Sequence, residues 1–315
     1  MCKKMPVIID CDPGHDDVGA IMMAIASGKF DIRGITCVPG NGLLDYLPDN
    51  MLKVFDRLGV TDIPVLRGIA KPFRGPCRPA VSVHGRTGLD GPVFRPTQKA
   101  PLDENVCDFI YRTACSCDAP MTLIALGPLT NVAAALLAHP DLKHKLARIA
   151  LMGGSAASGN VDPASEFNFW HDPDAAHIVF QAGVPILMCG LDVTWKAVLT
   201  LEEVEQLRAL GTTGGTLMAE MFDYYKMYRT SEGLGTVLPH DSVPVAWLID
   251  PTIVKTRPYF VEIDVFGQRT RGCSVTHITG PGSDRQACPP NTDVAYDCDR
   301  RRFVPLVFSA ARYFA

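Results

Sequence analysis

Five short apolar runs, each of strand length and separated by segments with helical periodicity, limit what this chain can fold into. They are "PVIID" (6–10), "DIRGITCV" (31–38), "MTLIAL" (121–126), "ARIALMG" (147–153) and "PILMCGLDV" (185–193). Most are dense in Val, Ile and Leu rather than alternating apolar with polar, the pattern of strands covered on both faces. Helices are read from near Asp16 through "DVGAIMMAIAS", in "LTNVAAALLAHP" closed by Pro140, in "LEEVEQLRAL" and "GTLMAEMFDYYKMYRT", and in "DSVPVAWLID", with His240 and Asp241 at its beginning. Strand followed by helix, repeated, predicts an α/β fold with an open, mainly parallel sheet flanked by helices. Two late runs, "YFVEIDVFG" and "GCSVTHIT", do alternate, with a turn between them at 268–271, and predict a small C-terminal β-hairpin. No internal repeat or low-complexity linker divides the 315 residues, so one domain over 1–315 is expected.

Charge narrows the partners. Thirty basic and 34 acidic residues leave a formal net charge of −4, with 47% hydrophobic residues, so neither a nucleic-acid nor a membrane partner is expected. "MCKKMPVIID" continues into a strand-length run and aspartates, unlike a signal peptide or a spanning helix, which favours the cytoplasm. The eleven cysteines are scattered, mostly in apolar segments such as "ITCVPG", and read as free thiols. Cys115 and Cys117 lack a second pair to complete a zinc site.

The first strand runs into "VIIDCDPGHDD" (7–17), which places Asp10, Asp12, Asp16 and Asp17 at its carboxyl end, where parallel α/β sheets bind ligands. Pro13 and Gly14 make a turn that folds these acids toward one point. Helix capping alone would account for Asp16 and Asp17, but not for the set. Carboxylates crowded in a partly buried site repel unless some are protonated or a cation binds. With no Cys or His ligand at suitable spacing, the ion expected is hard, calcium or magnesium, and calcium better tolerates irregular mixed ligands.

"DCDPGHDD" resembles the DxDPGxDD signature of the inosine/uridine-type nucleoside hydrolases, calcium-dependent N-ribohydrolases of Rossmann-like fold. The likeness continues in order through "VPGN" (38–41), "VHGRTGLDG" (83–91), "ALGPLTNVA" (125–133), "LMGGSAASGN" (151–160), "EFNFWHDPDAAHIVF" (166–180) and "PHDSVPVAW" (239–247). It implies that Asp16 is the general base and that Asp12, Asp17, Asp241 and the backbone carbonyl of Leu126 hold Ca2+, with Asp10 supporting the ligands. Asn41, Asn160, Glu166 and Asn168 would form the sugar pocket, with Met152 close to the ribose. His240 stands where a subgroup with an "HD" pair keeps its proposed leaving-group acid. The resemblance also implies a homodimer or homotetramer and a place in nucleoside catabolism and salvage.

A compatible chemistry follows from the residue types. Calcium would hold a water and the ribose 2′ and 3′ hydroxyls, Asp16 would take the water's proton, and neighbouring carboxylates would stabilise oxocarbenium character at the sugar. A departing base needs a proton, which His240 could deliver. Tyr224 and Tyr228, one helical turn apart, line the base end unless they form part of a core stripe. His84 lies in a Gly-, Pro- and Arg-rich segment (67–101) long enough to close over a substrate. His15 occupies a variable position of the signature and receives no role. Trp170, expected to pack, and Trp195 and Trp247 suggest no tryptophan sandwich for purines, which tilts specificity to broad or pyrimidine-leaning. Two rivals are a haloacid dehalogenase-type phosphatase, whose motif expects Thr or Val where Pro13 and Gly14 stand, and a calcium-dependent nucleoside- or sugar-binding protein without turnover, against which intact Asp16 and His240 weigh.

Overall fold

The structure, a computed structural model, describes residues 3–231, 235–278 and 288–315, without the side chains of 226–231. In chain order the strands are β1 (Met5–Cys11), β2 (Phe30–Cys37), β3 (Val65–Arg67), β4 (Met121–Ala125), β5 (Leu146–Met152), β6 (Ile186–Cys189), β7 (Leu199–Thr200), β8 (Thr236–Val237), β9 (Val254–Tyr259), β10 (Val261–Ile263), β11 (Ser274–Thr276) and β12 (Thr292–Cys298). Eight of them form one sheet in the order β3-β2-β1-β4-β5-β6-β12-β9. Every pairing in it is parallel except β12 with β9. The order reverses beside β1, which lies between β2 and β4, so a crevice opens at its carboxyl end.

The apolar runs become strands because they are covered twice. Along β1, Val7, Ile9 and Cys11 face one core and Ile8 faces the other, the two-residue alternation of a pleated strand. Helices His15–Ser27, Leu47–Leu58, Thr213–Ser231, Ser242–Ile249 and Arg300–Tyr313 cover the first face; Val106–Ser116, Thr130–Ala138 and Pro173–Gln181 cover the second. The helix after β1 starts at His15 and stops at Gly28, whose φ of 63° is left-handed.

The expected hairpin is present: β10 and β11 pair antiparallel, Val261 opposite Thr276. Thr279, the end of the second run, lies outside the described residues. One strand is shorter than expected. The run 185–193 ends as β6 at Cys189, and Leu191–Thr194 is a helical turn. A Cβ at Gly190 would lie 2.5 Å from the Gly154 carbonyl oxygen, so two backbones meet there, and Asp192 accepts from the Ala156 N–H (2.7 Å), which holds the bend. The segment 67–101 is largely irregular, with one short helix, Val81–His84. Among the described residues, no two cysteines are joined by a disulfide. Among the described residues, no helix is long and apolar enough to cross a membrane.

Candidate active site

A cavity of about 640 Å³ opens beyond the carboxyl ends of β1, β2, β4 and β5. Asp12, Asp16, Asn41, His84, Leu126, Met152, Asn160, Glu166, Asn168, His240 and Asp241 all line it. Residues more than two hundred positions apart thus meet because each follows or faces a strand end. A larger cavity of about 740 Å³ lies at the opposite strand ends, around Lys4, Phe30 and Arg57, away from the acids.

The acids are held individually. Asp16, Asp17 and Asp241 are buried, with one carboxylate oxygen of each within 4.8 Å of the others. Asp17 also closes the start of its helix, accepting from the N–H groups of Gly14 (3.0 Å) and Asp12 (3.2 Å), so capping and clustering coexist in one side chain. Asp12 stands beside the trio, its carboxylate accepting from the Asn41 N–H at 2.7 Å. The Asn41 amide group donates to the Asp12 carbonyl (3.0 Å) and to Asp17 (2.9 Å), tying two acids together. Asp241 immediately precedes helix Ser242–Ile249.

Asp10 is buried in β1, where one oxygen accepts from Thr36 and from Asn131 (2.8 Å) and the other has no partner. Its carbonyl accepts from the Leu126 N–H (2.8 Å), and the Asn168 amide donates to the Leu126 carbonyl at 2.8 Å and to that of Met152 at 3.1 Å. The Leu126 carbonyl is therefore oriented from both sides. Glu166 caps helix Phe167–His171 and accepts from the N–H groups of Gly154 (2.9 Å), Asn168 (2.9 Å) and Phe169 (3.3 Å). Asn160 accepts from the Phe167 N–H (2.9 Å), the turn chemistry open to any asparagine, and still lines the cavity.

Burial and mutual repulsion push these carboxyls upward. Burial, then the charge of Asp17, raises Asp16 to about 8. Asp12 and Asp241 rise well above the ordinary range, Asp17 rises as well, and burial alone takes Asp10 and Glu166 to about 7. Such a constellation is costly unless positive charge compensates it. The donor set is all oxygen, one buried Asp10 oxygen is orphaned, and the acids converge within ligand reach, so the residues fit a hard cation.

Also lining the cavity, His240 places its Nδ1 2.7 Å from the buried Thr194 hydroxyl. Of the two expected tyrosines, Tyr224 does not line the cavity; its ring stacks on His15 at 5.2 Å. The side chain of Tyr228 lies outside the described residues. Tyr225 lines the wall instead, its ring 5.5 Å from that of His84. The sequence reading also missed Thr194, Phe167 and Trp195, the last of which reaches the cavity wall. Trp170 packs under Arg78, and Trp247 under Arg148.

Glycines shape the acid site by absence. An ideal Cβ at Gly40 would sit 2.0 Å from one Asp12 oxygen, and one at Gly127 would sit 2.5 Å from the other. Asp12 is wedged between them and cannot retreat. Gly40→Ala is expected to lower kcat/KM by about 10²-fold, the cost of displacing a positioned group by roughly 1 Å. Steady-state kinetics beside a thermal melt checks this; native activity in a folded variant would mean that Asp12 tolerates displacement.

The description of the family whose model matches residues 7–305 is inosine-uridine preferring nucleoside hydrolase. The pyrimidine-specific ribonucleoside hydrolase RihA of Escherichia coli O81 (strain ED1a) is 40% identical over 316 residues, covering 99% of each chain. Among solved structures, the purine-preferring ribonucleoside hydrolase from Gardnerella vaginalis superposes with a TM-score of 0.89 at 33% identity, covering 98% of both chains. A plant nucleoside hydrolase, PpNRh1, gives 0.90 at 29%, covering 98% of this chain and 99% of its own. The chain belongs to the inosine-uridine preferring nucleoside hydrolase family. It is an enzyme, a nucleoside hydrolase, and its substrates are ribonucleosides cleaved at the N-glycosidic bond.

Proposed function

We propose that this enzyme hydrolyses pyrimidine ribonucleosides in preference to purine ones, releasing ribose and the free base, with Asp16 as general base and His240 as acid toward the leaving base. The observation that carries the reading is the convergence of the buried Asp16, Asp17 and Asp241, with Asp12 beside them, at a cavity that His240 also lines. Asp12, Asp17, Asp241 and the Leu126 carbonyl would hold Ca2+, whose flexible coordination suits mixed carboxylate and backbone donors better than the octahedron of Mg2+. When bound, the ion offsets the crowded charge, lowers the pKa of water and orients vicinal hydroxyls.

The side chains do the rest. Asp16, at the cavity wall, accepts a proton from the attacking water. As the glycosidic bond breaks, the surrounding carboxylates stabilise positive charge on the sugar. Asn41 and Asn168 spend their amide N–H groups on Asp12, Asp17 and the two strand-end carbonyls, so their first service is to fix the acids and the Leu126 oxygen. Glu166, Asn160 and Met152 complete the sugar wall. His240, whose Nδ1 lies 2.7 Å from the Thr194 hydroxyl, would deliver the proton to the base.

Pyrimidine preference is supported by the 40% identity to a relative named pyrimidine-specific and by a cavity wall with Trp195 as its one tryptophan among the described residues. The test is ribose release from uridine, cytidine, inosine and adenosine. kcat/KM for uridine or cytidine is expected to exceed that for inosine by at least about tenfold. Equal values overturn the preference, and tight binding with no release from any substrate favours the binding-protein reading. A homodimer or homotetramer, working in cytoplasmic nucleoside salvage, is part of the same proposal, and light scattering on an eluting peak decides the assembly.

A further inference from the structure

We infer that His15 is a positioning residue that fixes the tautomer of His84, so that His84 presents Nε2 to the bound nucleoside as a hydrogen-bond acceptor. The inference rests on reading the 640 Å³ cavity as the nucleoside site.

Two contacts in a row carry it. His15 Nε2 lies 2.8 Å from the Asp90 backbone carbonyl, and a carbonyl oxygen only accepts, so Nε2 bears the proton. His15 has no solvent exposure and stacks against the rings of His84 and Tyr224, a setting that keeps an imidazole neutral. A neutral ring has one N–H, which leaves His15 Nδ1 as a lone pair. His84 Nδ1 stands 2.9 Å from it and must therefore donate. His84 is itself buried and held neutral, chiefly by desolvation, so its single proton is committed to Nδ1. Nε2, on the other side of a ring that lines the cavity, is left bare.

The fixed point of the relay is well anchored. The Asp90 carboxylate accepts from the N–H groups of Arg86 (2.8 Å) and Thr87 (3.1 Å), and the Asp90 N–H donates to the His84 carbonyl at 3.1 Å. The turn 84–90 is thus closed on itself, and the carbonyl that selects the His15 tautomer is held in place. Gly14 leaves the necessary room, because a Cβ there would lie 2.8 Å from His84 Nδ1.

It follows that His84 receives a proton-bearing group of the substrate and does not protonate the leaving base, a task that stays with His240. A pyrimidine ribonucleoside offers such donors as sugar hydroxyls and the N3–H of uracil. These two sources are separable with 5′-deoxyuridine and 3-methyluridine.

The test begins with the wild-type protein, labelled with ¹⁵N-histidine and observed by long-range ¹H–¹⁵N correlation at neutral pH. The His84 signals, identified by their loss in His84→Gln, are expected to show a protonated Nδ1 and a bare Nε2. In His15→Phe, which keeps the ring stack but has no acceptor, His84 is expected to move to the Nε2–H tautomer, and kcat/KM for uridine to fall about tenfold, mostly through KM, the worth of one hydrogen bond. The analogue lacking the donor that His84 accepts should show no further loss in that variant. His15→Asn, whose amide oxygen can accept from His84 Nδ1, should recover the wild-type tautomer and part of the loss. A proton on Nε2 of wild-type His84, or an unchanged tautomer in folded His15→Phe, overturns the inference. The wild-type spectrum decides even if His15→Phe fails to fold, and absent ribose release would count against the substrate reading while leaving that spectrum intact.

Discussion

Asp16→Asn lowers kcat for ribose release by about 10²–10⁴-fold, the range a positioned general base contributes, while the protein remains folded. The side chain lines the cavity and is 6% exposed, so its loss bears on the reacting atoms rather than on the core. KM should change less than kcat, because a proton acceptor acts in the transition state. Stability should move the other way in a chelator. The folded carboxyl sits at about 8 against an ordinary 3.8, so the folded state binds the proton more tightly and the carboxyl's cost to folding grows as pH rises from about 4 toward 8. An amide carries no such cost, so melts of the variant and wild type should separate across that window in the variant's favour. Unchanged turnover in Asp16→Asn would remove Asp16 from the mechanism.

The readable part of this protein is the part its covered strands dictate. β1, β2, β4 and β5 sit where the apolar runs place them, because strands buried on both faces leave a dense Val, Ile and Leu signal. β9 and β12 leave almost none. β9 reads "VKTRPY", an antiparallel edge that tolerates Lys, Arg and even Pro258, and β12 carries Asp293 and Asp297. The site divides similarly. The acids at the end of β1 are legible because four carboxylates behind an apolar run demand an explanation, whereas Thr194 directly follows a run that reads as strand but bends into a helical turn. Tyr225 was within reach: Leu217, Met218, Met221, Phe222 and Tyr225 are the buried stripe of their helix, and that period puts Tyr225, not Tyr224, on the cavity side. His15 had no sequence signal, since its partners lie 69 and 75 positions away.

Removing divalent ions should abolish turnover by at least about 10²-fold, the loss of several kcal/mol of transition-state stabilisation, and should lower the melting temperature. Four acids with raised pKa values share one pocket, and an ion that binds only the folded state at about 100 times its dissociation constant adds roughly 2.7 kcal/mol, or about 5 °C in a domain of this size. The pH dependence has a definite sign. Without an ion, the raised folded values mean that the folded protein holds more protons than the unfolded chain, so stability falls as pH rises above about 4. With Ca2+ the carboxylates must release those protons to bind, so the stabilisation the ion confers should grow between pH 5 and pH 8. Melts with chelator and with Ca2+ at both pH values, for wild type and Asp241→Asn, check this. Asp241→Asn removes one oxygen charge from the trio and should lose most of the calcium increment. Mg2+, which needs a tighter octahedron, should restore less than Ca2+ does. Melting curves and ribose release indifferent to both chelator and calcium would leave the acids without an ion and with their repulsion unexplained.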